Sequence, residues 1–314
     1  MIPATKSGVV LSDVSVLMLT YRHENFVGAA IQSILSQTRP PSQLVVMDDC
    51  SPDETWSAVQ RAVAGHEGPT QLVLVRNPAR CGAARSKAQG LTHVTGRLIV
   101  NAHGDDVSLP TRLERLHAVW QQTGASSMSH DVFEHVDGQR LPRRNGEAGG
   151  DQQLPLEDIA AAPFHNRLLG CTMAIDRAVL DRFPVPDEPP GVAPGPGDIR
   201  LPLRGALLGG HWYLDEALVE WRRHDGQMTS RIIDQRPDHP AAGLETLEAF
   251  FVYGQVQRLR DLSHHAQSEG SSPELAAARQ ATLAQLLKRL RNWSAARDRL
   301  REEGMVATWE GGIS

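Results

Sequence analysis

The sequence predicts an α/β fold with a mostly parallel, doubly wound central sheet. Short apolar runs rich in valine, leucine and isoleucine recur along the first third of the chain, and each has the length of a buried strand. Segments with apolar residues at helical spacing separate these runs. Strands that alternate with helices in this way form parallel sheets whose two faces are both covered by helices.

The predicted elements follow one another in order. Four runs are predicted to be strands: Val14–Leu19, Leu44–Met47, Leu72–Val75 and Leu98–Val100. Four segments are predicted to be helices: Phe26–Gln37, Asp53–Ala64 with Ser51 or Asp53 as its cap, Ala83–His93, and one that begins near Thr111. In such sheets ligands lie beyond the carboxyl ends of the strands, so the polar turns after these runs are the first candidates for a site.

Two Gly- and Pro-rich stretches and a helical C-terminal region complete the organisation. Residues 137–153 and 184–202 have the composition of loops. Beyond Arg231, amphipathic segments around Leu244–His265 and Pro273–Glu303 predict a helical hairpin.

Bulk composition limits the classes of partner. With 32 Lys and Arg against 37 Asp and Glu, the formal net charge is −5, which gives no global basic field for nucleic acid. The three cysteines match neither a zinc site nor a secreted disulfide framework, and Met1–Asp13 lacks the pattern of a signal peptide. The apolar runs are too short to cross a bilayer as helices. We therefore expect a soluble, cytoplasmic protein.

Asp105 and Asp106 directly follow the predicted strand Leu98–Val100. Two adjacent carboxylates repel one another unless a cation or hydrogen bonds offset the repulsion, so a divalent ion is one explanation of the pair. The other explanation is a solvated turn in which one aspartate caps the following helix. The pair alone does not decide between them.

A second acidic turn, Asp48-Asp49, follows the strand Leu44–Met47. One of these carboxylates is suited to accept hydrogen bonds from a ribose or a nucleobase, as an acidic residue does in dinucleotide-binding folds. A capped turn is again the alternative. No Gly-x-Gly-x-x-Gly follows the first strand, where the turn is Thr20-Tyr21-Arg22-His23-Glu24, and this excludes a dinucleotide-dependent oxidoreductase.

Several short motifs, in order, resemble those of family 2 glycosyltransferases. Val14–Tyr21 resembles the family's first strand and Thr-Tyr turn. Ser33-Ile34-Leu35-Ser36-Gln37-Thr38 resembles the pattern Ser-Ile-Leu-x-Gln-Thr, and Val45–Thr55 resembles Val-Asp-Asp-Gly-Ser-x-Asp-x-Thr. The similarity continues through four further segments, so that it covers roughly residues 14–230: Cys81–Arg85, Gly170–Arg177, Asp198–Gly209 and Trp221–His224.

The resemblance implies a GT-A fold with a C-terminal helical extension. It divides the chain into an N-terminal tail (1–13), a nucleotide-sugar-binding half (14–130), an acceptor-binding half (131–235) and the helical extension (236–314). The donor is then a nucleotide-diphosphate sugar, with UDP- or dTDP-sugars favoured, and the acceptor is a glycan, lipid-linked, peptide or small-molecule hydroxyl. The C-terminal helices are candidates for a homodimer face, an acceptor clamp or a peripheral membrane contact.

The resemblance also implies roles for individual residues. Asp105 and Asp106 would hold Mn²⁺ or Mg²⁺ against the donor diphosphate, with Asp106 the more direct ligand and His224 a further ligand or a diphosphate contact. Asp198 would be the general base of an inverting transfer. The implied donor contacts are Leu19, Tyr21, Asp48, Asp49, Arg85 and Asp105.

Three departures from the family pattern bear on the implied roles and on the rigidity of the first turn. His103 stands where many members carry the first Asp of Asp-x-Asp-Asp, and imidazole also binds transition metals. Gly197 stands where an acidic residue precedes the base, so Asp187 and Glu188 are alternatives to Asp198. Leu19 replaces a common proline before the Thr-Tyr turn. These departures leave one rival hypothesis, a nucleotide-binding or regulatory protein of the same fold with impaired catalysis.

Overall fold

A computed structural model describes residues 9–136, 139–141, 149–161, 168–183, 197–224 and 240–302. Within these ranges, side chains are described outside 197–199, 240–250 and 299–302.

The first part of the chain alternates strands and helices, as predicted. Its elements are β1 (Leu11–Thr20), α1 (Val27–Leu35), β2 (Pro41–Asp48), α2 (Thr55–Val63), β3 (Gln71–Arg76), α3 (Ala83–Leu91) and β4 (Leu98–His103). The strand order is β3-β2-β1-β4, and each neighbouring pair is parallel. The side chain of Asp53 accepts a hydrogen bond from the amide of Thr55, the first residue of α2, whereas Ser51 bonds to Asp48 instead.

The second part extends the same sheet with strands of both directions. Its elements are β5 (Val107–Ser108), α4 (Arg112–Thr123), β6 (Ser127–Val136), β7 (Gln139–Leu141), β8 (Gln152–Leu154), α5 (Leu156–Ala161), a 3₁₀ turn (Gly170–Thr172), β9 (Ala174–Asp176), α6 (Arg177–Arg182), α7 (Gly197–Leu208) and β10 (His211–Arg222). From β4 the sheet continues in the order β9-β6-β10-β5. The boundary predicted between residues 130 and 131 lies inside β6, so both halves contribute to one sheet.

Strand β10 was not predicted, and it is the longest strand among the described residues. It runs parallel to β6 and antiparallel to β5, with register shifts between Leu214 and Val219. Its apolar residues Leu214, Leu218 and Val219 are buried. Because β5 immediately follows the end of β4, the pairing of β10 with β5 brings Arg222 and the residues after it to the aspartate pair.

Alternate residues of the central strands enter two separate cores. Val14, Val16 and Met18 of β1 pack on one face with α1, α2 and α4, and Leu17 packs on the other face with residues of α6 and α7. Side chains alternate between the faces of a strand, so a strand that is covered on both sides needs an unbroken apolar run. This is why β1, β2 and β4 were recognisable in the sequence.

Two long helices, α8 (Pro240–Glu269) and α9 (Pro273–Glu302), form the predicted hairpin. The hairpin packs on α5 and α7 through Leu262, Leu275 and Ala278. Arg204 of α7 forms a two-bond ion pair with Asp261 of α8, at 2.7 and 3.1 Å. Among the described helices, none combines the length and the apolar character needed to span a membrane.

Candidate functional site

The carboxyl ends of β1, β2 and β4 meet at one edge of the sheet. Thr20 is in register with Asp48, and Leu19 is in register with both Met47 and His103. The polar turns that follow these three strands therefore lie side by side, at the edge where parallel sheets bind ligands.

The turn after β1 is fastened to the turn after β2. The backbone amide of Arg22 donates to Ser51 Oγ at 3.0 Å, and the amide of His23 donates to Thr55 Oγ1 at 2.7 Å. Arg22 has a φ of 60°, which places it in the left-handed region. These contacts fix the direction of Tyr21 and His23 as they leave the sheet.

Asp48 supports its own turn. Its carboxylate accepts hydrogen bonds from the amide and the hydroxyl of Ser51, and it pairs with Arg76 Nε at 3.2 Å. Asp48 is completely buried. Its carboxylate therefore stabilises the turn from beneath the surface on which a donor would lie.

Asp49 organises the loop that leads into α3. Its carboxylate accepts hydrogen bonds from Asn77 Nδ2 and from the amides of Cys81 and Gly82, at 2.8–2.9 Å. Burial, with the hydrogen bond and the negative charge of Asp49, raises the pKa of Cys81 to about 12. Both oxygens of Asp49 thus bind the loop, so any contact of Asp49 with a nucleotide is made in addition to these bonds.

Of the three other predicted donor contacts, Tyr21 and Arg85 are next to this loop and Leu19 is not. The guanidinium of Arg80 lies 4.6 Å from the centre of the Tyr21 ring, a cation–π contact. Arg85 lies in the first turn of α3, near enough to Cys81 for its charge to act on the thiol. The side chain of Leu19 packs against the core, and its carbonyl accepts a hydrogen bond from the amide of Gly104 at 2.8 Å.

Cys50 occupies a position where the family pattern has glycine. Its φ is 56°, in the left-handed region that L side chains rarely adopt. The conformation is held by Asp48 and Asp49 on one side and by Ser51 on the other. Backbone strain of this kind is often found at functional sites.

Asp105 lies between two imidazoles. Its Oδ2 is 3.2 Å from His224 Nε2 and 3.5 Å from His23 Nε2. The ring of Phe26 packs 4.6 Å from the ring of His224 and holds it in place. Burial alone would raise the pKa of Asp105, but the hydrogen bond with His224 and the charges of His23, His103 and His224 together lower that pKa below its usual range.

Asp106 points in a different direction. Its Oδ1 accepts a hydrogen bond from the amide of Arg222 at 3.1 Å, and its Oδ2 is 3.7 Å from His103 Nδ1. Burial and the charge of Asp105 raise the pKa of Asp106 well above its usual range, although the Arg222 amide and the nearby Cys171 thiol oppose that rise. Two adjacent carboxylates with opposite shifts are typical of functional sites.

The aspartate pair does not cap the following helix. The N-cap of α4 is Thr111, and it makes no side-chain capping bond. The simple capped turn considered from the sequence is therefore wrong for Asp105 and Asp106.

Gly104 allows the aspartate pair to approach the turn after β1. A Cβ atom at this position would lie 2.5 Å from Thr20 Oγ1 and 2.9 Å from His23 Nδ1. Only glycine fits without displacing these atoms, and the close approach is what brings His23 within reach of Asp105.

Arg112, buried beneath the pair, joins four segments of the chain. Its guanidinium donates to Asn101 O at 2.8 Å, Cys171 O at 2.6 Å, His130 Nε2 at 3.0 Å and Ser108 Oγ at 2.9 Å. Burial lowers the pKa of Arg112 to about 10 and lowers that of His130 well below its usual value. His130 is therefore neutral and accepts the Arg112 bond.

The predicted base, Asp198, lies in the first turn of α7, and its side chain is outside the described part of the structure. The alternatives Asp187 and Glu188 also lie outside the described residues. The structure therefore leaves the assignment of the base as a prediction.

The donor atoms at the aspartate pair fit a divalent cation. Two groups of three ligand atoms, each within 4.8 Å of one another, occur here: His23, Asp105 and His224, and separately His103, Asp106 and Cys171. Carboxylate and imidazole ligands suit manganese and similar ions. The structure thus brings His224 to Asp105 and leaves Asp106 with a different set of neighbours.

Four residues of the site were not assigned roles from the sequence: His23, Arg112, Cys171 and Arg222. His23 stands in the Thr20–Glu24 turn, and its position two residues after Tyr21 was the available signal. The other three reach the pair through contacts between distant segments, which no local pattern reveals.

Comparison with known proteins places this site in a family context. The protein-family model described as "Glycosyl transferase family 2" matches residues 15–178 of the sequence. EpsE of Bacillus subtilis (strain 168) is 32% identical over 126 residues, which are 38% of this chain and 45% of EpsE. WfgD of Escherichia coli, a UDP-Glc:α-D-GlcNAc-diphosphoundecaprenol β-1,3-glucosyltransferase, is 26% identical over 174 residues, 55% of this chain and 64% of WfgD. The chain thus spans less than two thirds of the length of either relative.

Solved structures share the fold. The S. aureus TarS 1–349 complex with UDP-GlcNAc aligns with a TM-score of 0.57 at 16% identity, covering 93% of this chain and 92% of that one. The Pyrobaculum calidifontis mannosyltransferase PcManGT, in complex with GDP-Man and Mn²⁺, aligns with a TM-score of 0.56 at 20% identity, covering 98% and 80%. These likenesses confirm the predicted GT-A fold.

Proposed function

The chain belongs to glycosyl transferase family 2, and we propose that it transfers a sugar from a nucleotide-diphosphate sugar to an acceptor hydroxyl with a divalent cation at Asp105 and Asp106. The observation that carries this proposal is the environment of the pair. Two adjacent, buried carboxylates at the ligand-binding edge of the sheet are surrounded by His23, His103 and His224. A cation that is bound by two carboxylates relieves the repulsion that otherwise makes their burial unfavourable.

The residues around the cation have separate tasks in this proposal. Asp105, Asp106 and His224 are the proposed ligands, and the amide of Arg222 keeps Asp106 in a fixed orientation. When bound, the cation acts as a Lewis acid that stabilises charge on the departing diphosphate. The guanidinium of Arg222, which donates to the carbonyl of Asp105 at 3.3 Å, adds positive charge on the same side.

The donor would lie across the turns after β1 and β2. The proposed contacts for base and ribose lie around the loop 77–82. They are Tyr21, which contacts Arg80 of this loop, Asp49 and Arg85. A UDP- or dTDP-sugar is the donor we favour, and the TarS complex with UDP-GlcNAc supports a uridine nucleotide. The GDP-Man and Mn²⁺ in PcManGT support manganese and make GDP-sugars a necessary comparison.

Asp198 is the proposed general base. It would accept the proton of the acceptor hydroxyl as that oxygen attacks the anomeric carbon, from the face opposite the departing diphosphate. A single displacement of this kind inverts the anomeric configuration. The acceptor we favour is a glycan on a lipid diphosphate, because WfgD is a glucosyltransferase with a diphosphoundecaprenol-linked acceptor.

Nucleotide binding is the first test. We expect UDP with Mn²⁺ to raise the melting temperature, because a ligand that binds only the native state stabilises it by about 2.7 kcal/mol at one hundred times its Kd. Asp105→Asn and Asp106→Asn should abolish the part of the shift that depends on Mn²⁺. Asp158→Asn, which changes an exposed carboxylate on α5, is the matched control and should keep the full shift.

Transfer itself is tested with a panel of nucleotide sugars and lipid-diphosphate acceptors. We expect Asp198→Asn to lower kcat by about 100-fold or more, the usual size of a general-base contribution, with nucleotide binding unchanged. If the protein binds nucleotide but no donor is consumed, and Asp198→Asn has no effect, the impaired-catalysis hypothesis is correct. If no nucleotide stabilises the protein, the proposed function is wrong.

A further inference from the structure

His103, Asp106 and Cys171 form a second group of ligand atoms beside the proposed diphosphate site. His103 ends β4, Asp106 follows it by three residues, and Cys171 lies in the 3₁₀ turn before β9. The three ligand atoms lie within 4.8 Å of one another, with His103 Nδ1 and Asp106 Oδ2 3.7 Å apart. In a tetrahedral zinc site, ligand atoms are about 3.4–3.8 Å apart, so small side-chain movements complete the geometry.

The burial and poor hydrogen bonding of Asp106 Oδ2 distinguish this group from ordinary core packing. The atom is buried, and among the described residues it has no hydrogen bond of good geometry, because the Cys171 thiol is a weak donor and His103 Nδ1 lies 3.7 Å away. A buried polar atom in that state is unfavourable by about 1–3 kcal/mol unless something binds it. Cys171 by itself would be an ordinary buried thiol, packed against Val132 and Val219, but its neighbour is this carboxylate oxygen.

We propose that His103, Asp106 and Cys171 bind a thiophilic divalent cation, of which Zn²⁺ is the type. The set combines one imidazole, one carboxylate and one thiolate, which are the ligands that zinc takes, whereas Mg²⁺ selects oxygen ligands alone. The thiol of Cys171 would release its proton to solvent as the metal–sulfur bond forms. Three protein ligands leave a fourth position for water or another small ligand.

The site is accessible from the side of His103. The side chain of His103 is 38% exposed, whereas that of Asp106 is 5% exposed. A cation would therefore enter past the imidazole and reach the carboxylate and thiol behind it. His23, Asp105 and His224 form the separate group on the other side of the pair.

Binding here has a consequence for the proposed reaction. Asp106 cannot direct Oδ2 to Cys171 and His103 and at the same time to a cation on the donor diphosphate. Zn²⁺ at this site would therefore inhibit a transfer that depends on Mn²⁺, and this consequence rests on the proposed function. The binding itself does not, so it is tested first and without nucleotide.

Cobalt is the probe, because Co²⁺ replaces Zn²⁺ and a cobalt–thiolate bond gives a near-ultraviolet charge-transfer band. We expect Co²⁺ added to the whole protein, without nucleotide, to produce this band, and one equivalent of Zn²⁺ to remove it. Cys171→Ser should abolish the band. Cys81→Ser should retain it, because the thiol of Cys81, with its raised pKa, stays protonated and lies at Asp49.

A variant of the partly exposed ligand protects the test against misfolding. His103→Ala should weaken Co²⁺ binding by at least about tenfold, because removal of a residue that only supports a metal ligand already lowers metal affinity by about that much. The proposal is wrong if the wild-type protein gives no thiolate band, or if Cys171→Ser or His103→Ala binds Co²⁺ with the band and affinity of the wild type. A positive band together with no nucleotide binding would support the metal site and reject only the proposed transfer.

Discussion

Replacing Arg112 by methionine tests whether this residue holds together the segments around the aspartate pair. Each hydrogen bond from a charged donor contributes about 1.5–3 kcal/mol. Arg112 makes four of them to four different segments. Burial opposes this stabilisation, since a pKa lowered to about 10 from 12.5 corresponds to roughly 3 kcal/mol. We expect Arg112→Met to lower the free energy of unfolding by about 4 kcal/mol, measured by urea denaturation.

The control lies one turn away on the same helix. Arg115 forms ion pairs with Asp151 and Glu216, but its side chain is 36% exposed. Exposed pairs contribute about 0–1 kcal/mol, so Arg115→Met should change stability by less than about 1 kcal/mol. Equal losses from the two variants, or a loss below about 1 kcal/mol from Arg112→Met, would refute the inference that the buried guanidinium is the main support.

Three further predictions concern local strain, pH and the helical hairpin. Cys50→Gly should raise the free energy of unfolding by about 0.5–1 kcal/mol, measured in urea. The strain of the left-handed backbone that the variant relieves is larger than the free-energy cost of the extra entropy that glycine has in the unfolded chain. A less stable variant would contradict the strain argument. Burial lowers the pKa of His211 to about 3, so below pH 6.5 the proton binds only the unfolded chain and stability falls by about 1.4 kcal/mol per pH unit until the folded pKa is reached. His211→Gln should remove its share of the slope between about pH 6.5 and 4.5 and leave the contribution of His130, whose pKa is also lowered by burial; an unchanged slope would mean that other groups cause it. Asp261→Ala should lower the free energy of unfolding by about 3–5 kcal/mol, because it leaves the Arg204 guanidinium buried without its ion pair. Adding Arg204→Met should restore part of the lost stability. A further loss of stability in the double variant would show that the ion pair is not the cause.

Much of the fold was predictable because burial on both faces leaves a direct trace in the sequence. Strands β1 to β4 each contain a continuous apolar run, and each extends two to four residues beyond its predicted bounds. The helices between them show one apolar side each, and the C-terminal hairpin follows the same rule. The acidic turns were identifiable because the carboxyl ends of parallel strands share one edge.

Strand β10 was missed because its pattern is mixed. Polar residues such as Asp215 and Glu216 interrupt its apolar positions at the register shifts. Its pairing with β5 and β6 depends on residues that are far away in sequence, and no local period encodes such a pairing. The division of the metal ligands into two groups was missed for the same reason, because Cys171 and His224 reach the aspartates only through the assembled sheet.

The separation of 119 residues between Asp105 and His224 has a consequence for how the site forms during synthesis. A ribosome adds about 5–20 residues per second, so several seconds pass between the emergence of the aspartate pair and that of its imidazole partner. During that interval the pair has His23 and His103 and later Cys171 beside it, but the amide of Arg222 has not yet been made. A nascent chain can therefore complete the four parallel strands β1 to β4 well before it acquires a complete cation site, and metal binding would report on the docking of β10 rather than on the folding of the N-terminal half.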